Sequence, residues 1–252
     1  MEKISATVIT FNEEKNIRRC LESVKWADEI IVIDSHSKDN TVQIAREYTD
    51  KVIQRDWPGH IQQKNFARET ASNNWIFSLD ADEEVSPELR ESILSAQKSG
   101  FPCGGYHLAR KVYYLGKWIN HSGWYPDYKV RLFDRRKASW GGTNPHDRIE
   151  INSATEFLSG DLYHYSYENV SAHIQTINNF TTISAEELQK KGKRATLSKL
   201  LLNPFFKFIK SFLIKKGFLD GTVGLTIALS GSFYVFLKYL KLWEMQNAKA
   251  PK

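Results

Sequence analysis

Two carboxylates stand together at the polar end of a short apolar segment. Residues 75–79 read Trp-Ile-Phe-Ser-Leu, and Asp80, Ala81 and Asp82 follow them directly. A short apolar run of this kind predicts a buried parallel strand, and the carboxyl ends of such strands border the crevice where open α/β sheets bind ligands. Oxygen ligands suit Mg²⁺ and Mn²⁺, and one or two protein carboxylates suffice when a phosphate group shares the cation. The pattern predicts a divalent-cation site, with Asp82 and Asp80 as its ligands. An acidic loop before a helix that Ser86 and Pro87 begin is the alternative.

Polar residues also follow the other apolar segments of the N-terminal half. Residues 4–10 end at Thr10, and residues 29–33 are followed directly by Asp34; each segment is followed by a polar loop and a segment with helical spacing. A third short strand is predicted at 51–54, before a helix at about 61–71. Strands that alternate with helices predict a parallel sheet with right-handed crossovers. We therefore expect the residues just beyond these strands to converge at one edge of the sheet.

The chain contains neither Gly-x-Gly-x-x-Gly nor Gly-x-x-x-x-Gly-Lys-Ser/Thr, the two glycine-rich sequences that commonly bind phosphate groups. A bound cation is the natural substitute, because it neutralises phosphate charge without a glycine-rich loop.

Four segments, in this order, resemble the successive motifs of family 2 glycosyltransferases. They are Val8 to Glu14, Val32 to Thr41, Gln63 to Asn65, and Phe77 to Glu83. The resemblance implies an α/β protein with the GT-A (Rossmann-like) fold, which has a mixed, mostly parallel sheet flanked by helices. It also implies an inverting mechanism, a nucleotide-diphosphate sugar as donor, UDP-linked by preference, and Mg²⁺ or Mn²⁺ as cofactor.

The resemblance further implies how the donor is bound. Thr10 and Glu13 are expected to hold the base and ribose, Asp34 the uracil-type ring, Asp80 the ribose and Asp82 the metal. His36 stands where the family usually carries glycine, so either the backbone there is less left-handed or the ring contacts the donor; a solvated loop histidine is the alternative. The predicted donor-binding residues are Thr10, Asn12, Glu13, Asp34, Lys64, Asp80, Ala81 and Arg131.

Two of these donor-binding residues, Lys64 and Arg131, are chosen for their charge. Lys64 lies on the predicted helix that approaches the polar edge, where it could contact a phosphate or remain a solvated lysine. Arg131 alternates with Lys129 on one strand face and could stabilise the departing diphosphate. His164 could add a metal or phosphate contact, or pack within its strand.

Residues 101–168 are rich in aromatic residues and short alternating runs, which predict a partly antiparallel region on the acceptor side of the fold. Aromatic rings with polar tips suit a saccharide, because its C–H faces stack on rings while its hydroxyls take polar partners. We predict that Trp124, Tyr125 and His146 bind the acceptor, although about half of the rings in this region should belong to the core.

An inverting transfer needs a base beside the acceptor hydroxyl. The carboxylates available in this region are Asp127, Asp134, Asp147, Glu150 and Asp161. We choose Asp147, because the turn-forming residues 141–146 before it should display it at the surface of the fold. Pro145-His146-Asp147 also resembles the Val-His-Glu or Val-His-Asp of related enzymes.

The charge balance is basic, with a net charge of +6 and an isoelectric point of about 9.1. A nucleic-acid-binding protein fits poorly, because the basic residues cluster with long apolar runs near the C-terminus and no recognition motif occurs. Two cysteines, Cys20 and Cys103, without a Cys-x-x-Cys pair, and a start without a signal peptide favour the cytoplasm.

The C-terminal third changes character after a helix predicted at about 169–191. Residues 200–216 place phenylalanines and leucines on one helical face with lysines at its margins, as in helices that lie in a membrane surface. Residues 221–237 are uncharged but fall short of the roughly 20 residues that a spanning helix needs. Surface association with a membrane is therefore predicted for residues 169–252; helices packed on the protein itself or on a partner are the alternative.

Segments 203–204, 217–221 and 239–244 resemble the C-terminal region of bacterial lipopolysaccharide core glycosyltransferases, which add glucose to an inner-core heptose. We therefore predict a catalytic domain at 1–168, with donor binding in 1–100, and a membrane-associated helical region at 169–252. The acceptor would be a lipid-linked saccharide at the inner face of the cytoplasmic membrane. A polyprenyl phosphate or a protein is the alternative acceptor.

Overall fold

The computed structural model describes residues 1–143 and 146–247, with the side chain of His146 left out. The chain forms two compact units. One, the sheet unit, consists of Met1–Lys111 and Asp127–Tyr165; the other, the helical unit, consists of Val112–Pro126 and the chain from Ser166 onward. The helical unit thus includes a segment that sequence analysis assigned to the acceptor side of the first domain.

The sheet unit is built on one mixed sheet. The strands of the chain are β1 (Ile4–Thr10), β2 (Glu29–Asp34), β3 (Val52–Gln54), β4 (Trp75–Asp80), β5 (Glu83–Val85), β6 (Gly105–Tyr114), β7 (Lys117–Trp118), β8 (Asp127–Asp134), β9 (Ala138–Thr143), β10 (His146–Ile151) and β11 (Thr155–His164), of which β7 lies in the helical unit. The strand order of the sheet is β3-β2-β1-β4-β8-β6-β11-β5. Strands β2 and β4 flank β1 in parallel, β3 runs parallel to β2, and β8 enters antiparallel between β4 and β6.

The register of the parallel strands aligns their polar ends. Thr10 pairs with Asp34, and Ile9 pairs with Asp80. Apolar residues on both faces of these strands are fully buried, as expected for a parallel sheet that helices cover, and Val8 and Ile76 are examples. The predicted convergence at one sheet edge is therefore observed.

Four helices belong to the sheet unit: α1 (Ile17–Ser23), α2 (Thr41–Ala45), α3 (His60–Thr70) and α4 (Pro87–Lys98). Helix α4 begins as predicted, because the Ser86 hydroxyl accepts a hydrogen bond from the Leu89 amide and Pro87 occupies the first turn. The acidic stretch before α4 is not a loop throughout, since β5 begins at Glu83.

Strands β9 and β10 form an antiparallel hairpin beside α3. The Asn65 side chain donates to the Trp140 carbonyl at 2.8 Å and accepts from the Trp140 amide at 3.1 Å. The Asn65 side chain thus pairs with both backbone groups of Trp140, as a neighbouring strand would, and links the hairpin to α3. Asp147 stands on β10 opposite Gly142.

The helical unit contains three long helices: α5 (Val170–Lys190), α6 (Leu197–Ile209) and α7 (Gly221–Asn247). A π-helical turn (Lys210–Ile214) and a 3₁₀ turn (Gly217–Asp220) join α6 to α7. Asp220 is buried and accepts hydrogen bonds from the His121 amide at 2.9 Å and from the Asn120 amide at 3.4 Å. This carboxylate anchors the 112–126 segment to the helices.

The structure corrects the prediction that residues 221–237 are too short to span a membrane. They belong to one continuous helical segment, Gly217–Asn247, which is long and apolar enough to cross a bilayer when judged by length and composition alone. In the most apolar stretch of 18 residues within this segment, only 22% is buried. Helix α6 likewise exposes large apolar side chains to solvent, among them Leu201, Leu202, Phe205 and Phe206.

Candidate functional site

Asp80 lies at the centre of a charged cluster at the carboxyl end of β4. Its Oδ1 is 3.1 Å from the Lys64 ammonium, and its Oδ2 accepts a 2.8 Å hydrogen bond from Arg131 Nη2. Burial alone would raise the pKa of Asp80, but the charges of Lys64 and Arg131 outweigh it and hold the pKa well below its usual value. Asp80 is therefore ionised throughout the physiological pH range.

Lys64 joins this carboxylate to the predicted base. Its ammonium donates a 2.9 Å hydrogen bond to Oδ2 of Asp147 and lies 4.4 Å from the centre of the Trp140 ring. The Lys64 side chain is only 5% exposed, so the charge sits in a partly dry site where its interactions are strong. Burial raises the pKa of Asp147, but the charge and hydrogen bond of Lys64 lower it. The lowering effects outweigh burial, so the pKa of Asp147 lies below its usual value.

Glu83 is a residue of this cluster that sequence analysis did not select. It is fully buried, accepts a 2.8 Å hydrogen bond from Arg131 Nη2, and accepts a second from the Asp80 amide at 3.0 Å. Burial raises the pKa of Glu83, while the positive charge of Arg131 opposes that rise. Glu83 thereby fixes both the guanidinium and the backbone that carries Asp80. The sequence feature that could have identified Glu83 is its position directly after Asp80-Ala81-Asp82.

The loops after β1 and β2 are tied to each other. Asp34 is fully buried and accepts hydrogen bonds from the Ser37 amide at 2.9 Å and from Gln54 at 3.1 Å. The side chain of Asn12 accepts from the Lys38 amide at 2.8 Å. Asp34 thus has a structural role in the turn as well as a position at the predicted donor site.

Glu13 and Ala81 also hold backbone at this edge. The Glu13 amide donates to the Thr41 hydroxyl at 2.8 Å, and the Ala81 amide donates to the Ile9 carbonyl at 3.2 Å. His36 adopts a left-handed backbone, with φ of +60°, and its Nε2 lies 3.2 Å from Asp56 Oδ1. The conformation usually supplied by glycine is therefore kept here by a histidine.

Asp82 and His164 form a second polar pair. Oδ2 of Asp82 lies 3.1 Å from Nε2 of His164, and the Asp82 carbonyl accepts the Tyr165 amide at 2.9 Å. Strand β11 brings the histidine to the turn after β4 because it pairs antiparallel with β5. Within 1–143 and 146–247, no group of three or more His, Cys, Asp and Glu side chains has metal-binding geometry.

Several buried polar atoms near this edge have no hydrogen-bond partner among the described residues. Buried donors and acceptors are rarely left unpaired in folded proteins, so each of these atoms needs a partner such as water, an ion or a ligand. They are Thr10 Oγ1, Arg131 Nε, Arg131 Nη1, Trp140 Nε1 and His164 Nδ1.

The predicted acceptor residues fall in different parts of the molecule. Trp124 belongs to the helical unit, where its ring lies 5.7 Å from that of Tyr114 and 5.9 Å from that of His173. Tyr125 precedes Pro126 in the same unit, with a cis peptide bond between them. The side chain of His146 lies outside the described part of the chain.

Comparison with known proteins identifies the family. The model of glycosyl transferase family 2 matches residues 5–157. The chain belongs to glycosyl transferase family 2. The match covers more than half of the chain and includes the charged cluster around Asp80. This confirms the resemblance found in the four N-terminal segments.

Curated relatives of this family 2 glycosyltransferase extend the similarity to nearly the full length. An uncharacterized glycosyltransferase of Rickettsia typhi is 33% identical over 97% of this chain and 88% of its own length. The lipopolysaccharide core biosynthesis glycosyltransferase LpsC of Rhizobium meliloti is 28% identical over 98% of this chain and 94% of its own length. The chain is thus similar to LpsC in the helical unit as well.

Among solved structures, the mannosyltransferase PcManGT of Pyrobaculum calidifontis in complex with GDP-Man and Mn²⁺ has a similar fold. It superimposes with a TM-score of 0.56 at 13% identity and covers 96% of this glycosyltransferase and 87% of its own chain. This likeness concerns the fold alone and confirms the predicted GT-A architecture.

Proposed function

We propose that this glycosyltransferase moves glucose, with inversion at the anomeric carbon, from a UDP-linked donor to a lipid-linked saccharide. The reaction belongs to the assembly of the lipopolysaccharide core or a related envelope polysaccharide. The observation that carries the proposal is the pair of contacts of Lys64, whose ammonium touches both Asp147 at 2.9 Å and Asp80 at 3.1 Å. Similarity to LpsC over nearly the whole chain supports the choice of acceptor.

The donor occupies the carboxyl edge of β1, β2 and β4. Asp34, Thr10 and Glu13 surround the nucleoside, with Asn12 and Ala81 supplying the backbone frame. The diphosphate lies against Lys64 and against the unpaired Nε and Nη1 of Arg131. A guanidinium held by two carboxylates is fixed in orientation, which leaves its Nε and Nη1 as the donors for phosphate oxygens.

Asp147 acts as the base. It takes the proton of the acceptor hydroxyl while that oxygen bonds to the anomeric carbon, and the bond from this carbon to the diphosphate oxygen breaks. The leaving diphosphate keeps the electron pair, and the ammonium of Lys64 stabilises the added charge. With a pKa below its usual value, Asp147 is ionised at neutral pH and accepts the proton once Lys64 contacts the diphosphate instead.

Asp82 and His164 fit a divalent cation. Asp82 Oδ2 lies 3.1 Å from His164 Nε2, so the two side chains are close enough that they could hold one cation together. The Asp82 carboxylate is of the ligand type that Mg²⁺ and Mn²⁺ prefer, and His164 would add one nitrogen ligand. Bound there, Mg²⁺ or Mn²⁺ would neutralise charge on the diphosphate. Asp80 contributes less to this site, because both of its oxygens are in ion pairs.

The enzyme acts as a peripheral protein on the inner face of the cytoplasmic membrane. The exposed phenylalanines and leucines of α6 offer apolar area to the bilayer, and lysines at the margins of that face favour anionic lipids. Such attachment keeps the enzyme beside an acceptor that cannot leave the membrane.

A donor panel tests the function. Purified enzyme is mixed with UDP-glucose, UDP-galactose, UDP-N-acetylglucosamine or GDP-mannose and with lipopolysaccharide core that lacks its outer sugars, with Mn²⁺ or with chelator. We expect transfer from UDP-glucose that depends on Mn²⁺ or Mg²⁺ and yields the β-anomer. Transfer from GDP-mannose alone, or retention of anomeric configuration, would contradict the proposal.

A further inference from the structure

The ring of Trp140 borders the charged cluster around Asp80. Trp140 is 6% exposed, the Lys64 ammonium lies over its ring at 4.4 Å from the centre, and the Arg131 guanidinium carbon lies 5.5 Å from that centre. Both distances fall within the roughly 6 Å over which an aromatic face attracts a cation. One indole is therefore close to both of the cations to which the donor diphosphate is assigned.

The β9–β10 hairpin places this ring beside the proposed base. Trp140 pairs with Ile149, and Gly142 pairs with Asp147. Side chains of a strand alternate between its two faces, so positions 140 and 142 and their partners share one face of the hairpin. The Lys64 ammonium contacts both the Trp140 ring and the Asp147 carboxylate on that face.

The position of the ring relative to Lys64 is fixed through the next residue of α3. Asn65 donates to the Trp140 carbonyl at 2.8 Å and accepts from the Trp140 amide at 3.1 Å. The residue that holds the backbone of Trp140 and the residue whose ammonium lies over its ring are therefore consecutive in sequence. The contact between ring and ammonium follows directly from the way the hairpin packs on the helix.

An aromatic face suits a cation that has to change partners. The Lys64 ammonium contacts Asp147 and Asp80 in the structure, and in the proposed reaction it moves to the diphosphate. Another carboxylate in place of the ring would compete with the diphosphate for this ammonium. The Trp140 ring attracts the ammonium without a negative charge of its own, so it can hold the cation while the anionic partners exchange.

Filling the core is the alternative role of Trp140. An apolar side chain would do this without burying a polar atom, whereas Trp140 Nε1 is buried and has no hydrogen-bond partner among the described residues. A buried N–H group without a partner costs free energy, so packing alone would favour leucine or phenylalanine here. Attraction to two cations accounts for the indole, because tryptophan gives the strongest cation–π attraction of the aromatic residues.

We propose that Trp140 is a positioning residue of the transfer site, whose ring holds the Lys64 ammonium where it can reach the donor diphosphate. This role rests on the proposed function, because Trp140 acts on the donor through Lys64. Loss of the ring should weaken donor binding and slow transfer, although Trp140 itself is assigned no contact with the reacting atoms.

Fluorination of the indole tests the attraction with little change in packing. Tryptophans with an increasing number of ring fluorines, which weaken the negative potential of the aromatic face, are incorporated at position 140. The dissociation constant of UDP should rise with each fluorine, by about tenfold over the series, in calorimetry with Mn²⁺ and with chelator. The same series at Trp243, which is 47% exposed in the helical unit, should leave UDP binding unchanged.

Two results of this series would overturn the proposal. A flat series at position 140 would exclude attraction by the ring. Tighter UDP binding with each fluorine would indicate instead that the Nε1–H group, which fluorination makes a stronger donor, contacts the ligand.

Substitutions give the same test without unnatural residues. Trp140→Phe keeps an aromatic face, whereas Trp140→Met does not. UDP should bind at least about tenfold more weakly to the Met variant than to the wild type, and Phe should restore most of that loss. Equal UDP affinity of the two variants would indicate a role in packing alone. In a Lys64→Met background their difference should largely disappear, and a difference that persists there would contradict action through Lys64.

NMR of the lysine side chains separates this inference from the proposed function, because it needs no donor. In enzyme with ¹³C-labelled lysine, the Cε–Hε signal of Lys64, assigned by its loss in Lys64→Met, should be shifted upfield by the Trp140 ring and should lose this shift in Trp140→Met. An unshifted Lys64 signal, or UDP binding with a flat fluorine series, would reject the role of Trp140 and leave the transferase function standing. A shifted signal in an enzyme that neither binds UDP nor transfers glucose would reject the proposed function, and with it the role of this contact toward a donor.

Discussion

Lys64 donates a 2.9 Å hydrogen bond to Asp147, a residue 83 positions away in sequence. The same ammonium lies 3.1 Å from Asp80. The positive charge of Lys64 therefore offsets the negative charges of both Asp147, the proposed base, and Asp80, a predicted donor-binding residue. A donor diphosphate competes with both for this cation, so arrival of the donor should increase the basicity of Asp147.

Replacing Lys64 should change the pH dependence of the reaction. Burial raises the pKa of Asp147 and Lys64 lowers it, so Lys64→Met should raise that pKa. A base acts only when ionised, and the acid limb of kcat/KM should therefore move to higher pH. The wild-type enzyme should keep its rate at mildly acidic pH where the variant loses it. Lys25→Met, an exposed lysine, is the control; an unchanged acid limb in Lys64→Met would argue against Asp147 as base.

Removal of the base should abolish transfer but not donor binding. Asp147→Asn should lower kcat by roughly 10²–10⁴-fold, the usual contribution of a general base. Calorimetry should find UDP binding nearly unchanged. Glu150→Gln on the same hairpin, exposed and paired with Arg148, should retain activity. Near-normal turnover of the Asp147 variant would exclude this residue from the role.

Loss of either proposed metal ligand should weaken cation-dependent binding. In Asp82→Asn and in His164→Gln, the Mn²⁺ concentration that half-saturates UDP binding should rise about tenfold or more. The measurement is calorimetry of UDP binding at a series of Mn²⁺ concentrations. Asp56→Asn, at an exposed carboxylate near His36, should behave as wild type. Identical Mn²⁺ titrations of all four proteins would refute the site.

Glu29 should make stability depend on pH. Burial raises its pKa, but Lys51, Ser5 and Ser72 outweigh that effect and lower the pKa to about 2. A depressed pKa stabilises the folded state above the unfolded pKa, near 4.5, and this contribution is lost as pH falls toward 2. Glu29→Gln should thus cost up to about 3 kcal/mol at pH 7 and progressively less below pH 4.5. Urea unfolding of both proteins between pH 2 and pH 7 would measure the difference in their free energies of unfolding. A difference that does not change with pH would contradict a lowered pKa of Glu29.

The apolar face of α6 should determine membrane binding. Phe205 and Phe206 are 57% and 60% exposed, and burial of each ring is worth roughly 1.5–3 kcal/mol. A Phe205→Ser, Phe206→Ser double variant should bind anionic vesicles at least about tenfold more weakly in sedimentation. Phe157→Ser is the control, because Phe157 is 64% exposed but lies in the sheet unit. An equal loss of vesicle binding in the double variant and in Phe157→Ser would contradict a specific role of α6 in membrane binding.

Much of the donor edge could be predicted from sequence, because strand period and loop polarity are local properties. Alternation of strands and helices places Thr10, Asp34 and Asp80 at the same sheet edge, as the observed register shows. The contact of Lys64 with Asp147 could not be derived in this way. It depends on how the β9–β10 hairpin docks on α3, and sequence patterns carry no information on such long-range packing.

Glu83 and Trp124 show two further limits. Glu83 lies in a motif segment but was not selected as a site residue, because its burial depends on an ion pair with Arg131, which lies on a strand that enters the sheet antiparallel. Trp124 was expected on the acceptor side of the first domain, yet it packs with Tyr167 and His173 in the helical unit. The residue type of Trp124 suggested that its ring binds a ligand, but the sequence could not show that this ring belongs to the helical unit.

The two edge strands of the sheet, β3 and β5, have only three residues each. Short edges offer few free amides and carbonyls to a strand from another molecule. Crowding of many copies on a bilayer would bring such edges close together, and their shortness should protect the enzyme from intermolecular β-aggregation there.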